Sequence, residues 1–444
     1  MATVNHIVRV AVAALAIVSA SAFAQTAPKD ALKAINDYRM AAYAEARNSG
    51  KSINIAEINN SVKTKAEEAI KGVDPAKVDA KDAYDWAQLF SIAGKNKEVC
   101  DLTHKYLTTN PNPDQRFAAQ MLMMNSCNAL GEGLMLAMTL KDIQPVNVNN
   151  GRQLASSTAY EYIDTVNKTQ GLQEALKTLD LVEAKIPTED HKEYAKKMLD
   201  ATKAREAANP PATAPKSDEE RLAMYETQSR QMADSYHYLF VEKKAELYKD
   251  AGKKQDALNV FSAYLKTADP KSPSYRSANA ALKQMTMVGA PATALTVEKS
   301  YGSFTGLDQF KGKVVIIDFF AHWCGPCKAS YPDMRKMYDD LHAKGLEIVG
   351  FTTYYGFYNK ENAEKRDMAK DVEYAKMADF IKEFNIAWPV AYGERTNFDA
   401  YGITGIPTTI LIDRQGNVHS IDVGYSPESF KKFRDEVEKV LASK

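Results

Sequence analysis

The chain has 444 residues, 45% hydrophobic and 26% charged, a length that suits two or three domains. Lys plus Arg and Asp plus Glu stand at 57 each, so no overall basic field invites nucleic acid.

Residues 1–24 read as a secretory signal. Arg9 supplies positive charge, Val10 to Val18 is an uncharged apolar run, and Ala22-Phe23-Ala24 is an A-x-A cleavage site. The run is too short to span a bilayer comfortably. No cysteine precedes Cys100, so none stands ready for lipid attachment near that site. Cleavage and release into the periplasm are expected, with an uncleaved membrane anchor as the alternative.

From residue 25 to 288 the pattern is almost wholly helical, an all-α domain. Three segments share a layout: Gly94 to Pro111, Gly171 to Pro187 and Gly252 to Pro270. Each opens with Gly, carries apolar residues at helical spacing and closes at Pro. Their openings lie about 80 residues apart, roughly twice a helix-pair repeat of about 34 to 47 residues. Asp85-Trp86-Ala87-Gln88-Leu89 resembles the tetratricopeptide signature at Trp86 and Leu89, whereas Phe90 and Ala93 stand where that signature has Gly and Tyr. A degenerate helical array and an irregular bundle both fit, and the region is a candidate surface for a protein partner. Cys100 and Cys127 sit on apolar helical stripes, Val99, Leu102 and Tyr106 beside the first and Phe117, Met121 and Met124 beside the second. Facing helices would bring the sulfurs together. In an exported protein a structural disulfide is expected there, worth roughly 3 to 4 kcal/mol in the chain-entropy model; two free buried thiols are the other reading. Residues 209–216, rich in proline, form a loop, and Ser217 to Glu220 offers a capping box for the next helix.

Near Gly289 helical period gives way to short strands, setting a second domain at 289–444. Val314 to Phe320 is a seven-residue run, apolar but for Asp318, suited to a buried parallel strand. It leads through His322 and Trp323 into Cys324-Gly325-Pro326-Cys327, with Pro326 placed for the first turn of a helix. A sulfur at that N-terminus is stabilised as thiolate by unpaired N–H groups and the helix dipole, which makes Cys324 the attacking sulfur and Cys327 the resolving one. A structural zinc site would need two more ligands, and the other cysteines are far upstream. Further strands are expected at Leu346 to Thr353, Thr408 to Ile412 and Val418 to Val423. Helices are expected at Glu373 to Phe384 and after Ser426-Pro427, so strands and helices alternate as in an α/β sandwich. Tyr354 to Tyr358 opens a charged insertion reaching Asp371, either a partner surface or a packed cap.

The run Asp318-Phe319-Phe320-Ala321-His322-Trp323-Cys324-Gly325-Pro326-Cys327-Lys328, followed by Pro332, resembles the active-site segment of thioredoxin. Gly405-Ile406-Pro407-Thr408-Thr409 is similar to that family's loop in which a cis-proline faces the cysteines. Lys311-Gly312-Lys313 before the strand, and Ile410 to Asp413 with Gly416 after the proline, resemble the exported reductases of the TlpA/ResA type. The resemblance implies a thioredoxin-like domain with a central mixed sheet flanked by helices. It implies a proton-shuttling role for Asp318 on behalf of Cys327, and substrate contacts from Trp323, Gly325, Pro326, Ile406 and Pro407. Two positions depart from relatives. No lysine accompanies Asp318 from the strand at Glu347 to Thr352, and Ser330 stands where ResA-type proteins carry Glu. His322 is expected at the surface.

The function expected is an exported thiol–disulfide oxidoreductase, working as a reductase on protein thiols and disulfides. It needs no cofactor and no metal, and it draws electrons from a membrane donor. The Gly-Pro dipeptide resembles that of thioredoxin, whose potential is near about −270 mV. A helical adaptor whose thioredoxin-like domain binds partners without turnover is the alternative.

Overall fold

The computed structural model describes residues 27–48, 54–209, 216–359 and 361–443. Residues 1–24, expected to be a signal, and residues 210–215 of the proline-rich loop lie outside them. Two compact units divide the chain, Met1–Leu247 and Tyr248–Lys444.

In the first unit the described elements are helices. They are α1 (Pro28–Asn48), α2 (Ile55–Ala69), α3 (Ala83–Ile92), α4 (Asn96–Leu107), α5 (Pro113–Leu130), α6 (Gly133–Asp142), α7 (Val148–Ser157), α8 (Ile163–Gln170), α9 (Leu172–Glu183), α10 (His191–Ala208) and α11 (Asp218–Asp250), which runs on past the division. A short 3₁₀ turn lies at Pro75–Lys77, and a π-helical turn, Thr158–Tyr162, joins α7 to α8. The three Gly-opened segments each contain a helix of 12 residues: α4, α9 and, in the second unit, α12 (Lys254–Leu265). Gly94, Gly171 and Gly252 take φ of 76°, 86° and 71°, left-handed values that a side chain would disfavour, so glycine is what lets one helix stop and the next start. Consecutive helices then pack, α3 on α4, α4 on α5 and α8 on α9. Leu89 and Phe90 are buried in the resulting core, with Trp86 packed at its edge.

The second unit holds α12, α13 (Pro273–Met287), β1 (Lys299–Tyr301), β2 (Val314–Phe319), α14 (Gly325–Leu341), β3 (Leu346–Thr352), α15 (Lys370–Glu383), β4 (Val390–Tyr392), α16 (Thr396–Ala400), β5 (Thr408–Ile412), β6 (Val418–Val423) and α17 (Pro427–Ala442). The expected change from helix to strand near Gly289 is present, yet the compact unit begins earlier, at Tyr248, so α12 and α13 belong with the sheet. Helix α15 opens at Lys370, ahead of the expected Glu373.

Six described strands form one mixed sheet in the order β1-β4-β3-β2-β5-β6. The central strand β2 runs parallel to β3 and antiparallel to β5, and all six of its residues are buried. A strand covered on both faces has no polar side to show, which explains why every residue of β2 but Asp318 is apolar. Val314 and Ile316 join Met334 and Met337 of α14, Met377 and Phe380 of α15, and Phe433 and Val437 of α17. Val315, Ile317 and Phe319 pack on the other face with Phe398, Tyr401 and Met287. The sheet with helices on both faces is the thioredoxin-like architecture expected.

Candidate active site

Strand β2 ends at Phe319, and five residues later Cys324 is the N-cap of α14. Pro326 occupies the first turn, where a missing N–H costs nothing. Cys324 and Cys327 are joined as a disulfide, and Cys324 Sγ accepts a hydrogen bond from the Cys327 backbone N–H at 3.2 Å. Such a helix N-terminal donor is of the kind that favours negative charge on the atom it reaches. Cys324 is buried at 4% exposure and Cys327 completely, so only the first sulfur borders the surface. Gly325 and Pro326 are exposed beside it, and Trp323 is 46% exposed, unusual for so large an apolar ring.

The Ile406-Pro407 bond is cis, as expected. β5 begins just after it, at Thr408, so the Ile406 backbone lies ahead of the strand ladder. The Pro407 carbonyl accepts from the Gly424 N–H at 2.8 Å, tying this loop to the end of β6. A cavity of about 30 Å³ behind it is lined by Ser330 and Met334 of α14, Pro407, Thr409 and Asp422. Ser330, where ResA-type proteins were expected to differ, donates its hydroxyl to the Cys327 carbonyl at 2.8 Å.

Asp318 lies inside β2, flanked in register by Gly350 and Thr409. It is 2% exposed, and its Oδ2 has no hydrogen-bond partner among the described residues. Burial pushes its pKa up to about 7 from 3.8. The neighbouring Tyr331, one helical turn beyond Cys327, is pushed well above its usual value by burial and then by the Asp318 charge. The expected absence of a lysine partner is explained by Gly350, which offers no side chain on the adjacent strand. A Cβ there would meet the Phe320 ring at 3.1 Å.

One expectation is corrected. His322 is not at the surface: it is 1% exposed, because the segment after β3 folds over it. Tyr355, Phe357 and Tyr358 place their rings 5.7, 5.1 and 5.0 Å from the imidazole, and Tyr355 also meets Trp323 edge-on at 5.4 Å. Of the two readings of this aromatic run, the packed cap is the one seen. Burial lowers the His322 pKa to about 4, so the ring is neutral at physiological pH. What pins the cap is a residue that no sequence pattern singles out. Glu373, fully buried in the first turn of α15, accepts N–H bonds from Tyr355 at 2.9 Å and Gly356 at 2.8 Å. An acid in a first turn looks like ordinary helix-dipole chemistry, so only its burial marks it.

In the first unit, Cys100 on α4 and Cys127 on α5 come together as the stripes foretold, with sulfurs 3.4 Å apart. Both are free thiols in this structure, their contact in van der Waals and hydrogen-bond range. The Cys127 thiol lowers the Cys100 pKa by hydrogen bonding, and its own is raised in turn. The Glu132 carboxylate lies with them within 4.8 Å. Among the described residues no helix is long and apolar enough to cross a membrane.

An N-capping, surface-bordering cysteine bonded to a buried one, in a core against which the residue before the cis-proline packs, on a thioredoxin-like sheet, defines a thiol–disulfide oxidoreductase. Comparison with known proteins agrees. The Redoxin family model matches residues 287–441. Thiol-disulfide oxidoreductase ResA of Bacillus subtilis (strain 168) is 30% identical over 150 residues, covering 33% of this chain and 73% of the relative. ResA of Bacillus thuringiensis subsp. konkukian is 30% identical over 132 residues, 30% of this chain and 66% of the relative. A solved thioredoxin-family thiol:disulfide interchange protein from Chlorobium tepidum TLS is 28% identical, with a TM-score of 0.26, over 34% of this chain and 95% of its own. The chain belongs to the ResA family of thiol–disulfide oxidoreductases, through its C-terminal third.

Proposed function

We propose that the protein is an exported disulfide reductase of protein substrates, in which Cys324 attacks, Cys327 resolves and Asp318 handles the resolving proton. The Cys324 thiolate attacks a substrate disulfide, forming a mixed disulfide and releasing one substrate thiolate, which takes a proton from solvent. Cys327 then gives its proton to the Asp318 carboxylate and attacks Cys324. The second substrate sulfur leaves as thiolate, and the Cys324–Cys327 disulfide of this structure is the product state. Asp318 gives its proton up to solvent, and a membrane dithiol donor returns two electrons and one proton, its other proton going to solvent, which restores the Cys324 thiolate and the Cys327 thiol. The observation that carries the reading is the asymmetry of the pair: a capped sulfur at the surface, and a buried one on the helix that packs over an acid whose pKa is about 7.

Trp323, Gly325, Pro326, Ile406 and Pro407 would form the surface on which an extended substrate lies, supported by the exposure of the first three and by the Ile406 backbone standing outside the ladder. Export is supported by the signal-like residues 1–24, and a Cys100–Cys127 disulfide by the 3.4 Å approach of the sulfurs. A protein-binding role for the helices from 25 to 288 belongs to the same proposal.

The test is the Cys327→Ser protein, expressed in its own periplasm and recovered under acid quench. Substrates should remain covalently attached through Cys324 and be released by dithiothreitol. Recovery of no adduct, with Cys324 shown to be reduced, overturns the reading.

A further inference from the structure

Helix α13 does more than precede the sheet: it braces the loop that leads to the cis-proline. Gln284 donates to the Gly402 carbonyl at 2.8 Å, and Lys283 donates to the Asp399 carbonyl at 2.6 Å. Between helix and loop lies a cleft of about 320 Å³, the size of a small ligand site. Arg276 and Lys283 of α13, with Arg395, face it together with Asp399 and Thr404.

What sets the cleft apart is that three cations converge on one small cavity. Some other surface cations are paired, Lys370 with Glu298 and Glu394, Arg434 with Asp340 and Glu438. Here Arg276 donates to the Lys271 carbonyl, Lys283 to a carbonyl, and Arg395 lies over the Phe398 ring at 5.1 Å. Among the described residues none of the three is ion-paired with a carboxylate. Asp399 shares the cleft, which leaves an excess of positive charge in a protein whose formal net charge is zero.

The cleft adjoins the redox site on two sides. Ile403 and Thr404 line it, directly before the Gly405-Ile406-Pro407 loop. On the other side the Arg395 charge is felt at Tyr355, whose hydroxyl burial pushes up and Arg395 pulls back, and Tyr355 packs on Trp323. Its α13 wall lies before residue 287, where the Redoxin match begins, so the cleft is an addition to the shared domain.

We propose that this cleft docks an acidic segment of the polypeptide substrate. The inference rests on the oxidoreductase reading above and names the substrate class it would favour. Thr404 lies three residues from Pro407, a span of about 10 Å in extended chain. Asp or Glu residues about three to five positions from the attacked cysteine would therefore reach the cations.

Two disulfide-containing peptides test it, identical except for Glu and Asp against Gln and Asn at those positions on both sides of the cysteine. The readout is kcat/KM for their reduction by the reduced full chain at low and high NaCl. The acidic peptide should be preferred about tenfold at low salt, and the ratio should fall toward one at high salt. It should also fall toward one in Arg276→Glu/Arg395→Glu, and partly so in the milder Arg276→Gln/Arg395→Gln. Equal rates for the two peptides in the unaltered protein overturn the proposal. If neither peptide is reduced, the oxidoreductase reading fails separately. Anisotropy of the labelled acidic peptide on the oxidised protein then decides the cleft: salt-sensitive binding lost on charge reversal upholds it, and no binding overturns it.

Discussion

Asp318 is a carboxyl in a strand that otherwise holds only Val, Ile and Phe, and the environment that makes it useful also makes it costly. Its folded pKa of about 7 lies above the ordinary 3.8, so between those values the folded protein holds a proton that the unfolded chain has lost. Stability therefore falls as pH rises from about 4 to 7, and above 7 the penalty is complete, on the order of 4 kcal/mol. Asp318→Asn removes it. Denaturant melts of the oxidised proteins should show the variant more stable by a few kcal/mol at pH 8 and level with the parent at pH 4. A variant no more stable at pH 8 would mean that the carboxylate is solvated in a way its burial does not suggest. In rapid-mixing experiments the same variant should attack substrate at the parental rate and release the mixed disulfide more slowly. This residue, like Cys324 and Cys327, was legible from sequence because it breaks a pattern: an acid in an apolar run needs a reason. His322 was not, since nothing local says that a loop more than thirty residues away will fold over it.

At the scale of elements, the loop from Tyr354 to Tyr358 is held by α15 through one carboxylate. Two backbone N–H groups of that loop end on Glu373, whose pKa is raised by burial and then lowered by those bonds. Replacing it with Gln keeps the size but turns one acceptor oxygen into a donor facing N–H groups, an arrangement costing roughly 1 to 3 kcal/mol. Glu373→Gln should speed amide exchange at Tyr355 and Gly356 and raise KM for protein substrates, with little change in kcat for a small disulfide. Unchanged exchange at those amides would show that ring packing alone holds the cap. The strands and helices around it were readable from periodicity. The cap could not be read so, because aromatic rings on a loop serve packing and partner contact equally. The outcome depended on Glu373, whose burial is set by the fold and not by its neighbours in sequence.

For the whole molecule, the placement of α12 and α13 decides what can stand alone. Sequence period changes at Gly289, and that change is real, but the hydrogen bonds from Lys283 and Gln284 to the loop at Asp399 and Gly402 cross it. A fragment comprising 248–444 should fold cooperatively and reduce insulin at close to the rate of the full chain. One beginning at 289 should melt several degrees lower, having lost the α13 brace and the Met287 contact with the sheet. Equal melting temperatures for the two fragments would place the boundary at Gly289 after all. Periodicity reports the local conformation of a segment, whereas membership of a core is settled by contacts a hundred residues apart, which is why one was legible and the other was not.

The exposed indole of Trp323 stands next in sequence to a sulfur that alternates between thiol and disulfide. An excited indole beside a disulfide loses its energy by electron transfer into the sulfur–sulfur bond, and the quencher vanishes when that bond is reduced. The chain's other tryptophans, Trp86 at the edge of the first-unit core and Trp388 buried among aromatic rings, give a background that reduction should leave alone. Emission near 340 nm should therefore brighten as dithiothreitol titrates the pair, and Trp323→Phe should flatten the response. The active site thus carries its own optical gauge, and the two-electron midpoint can be read from the untagged protein in a cuvette.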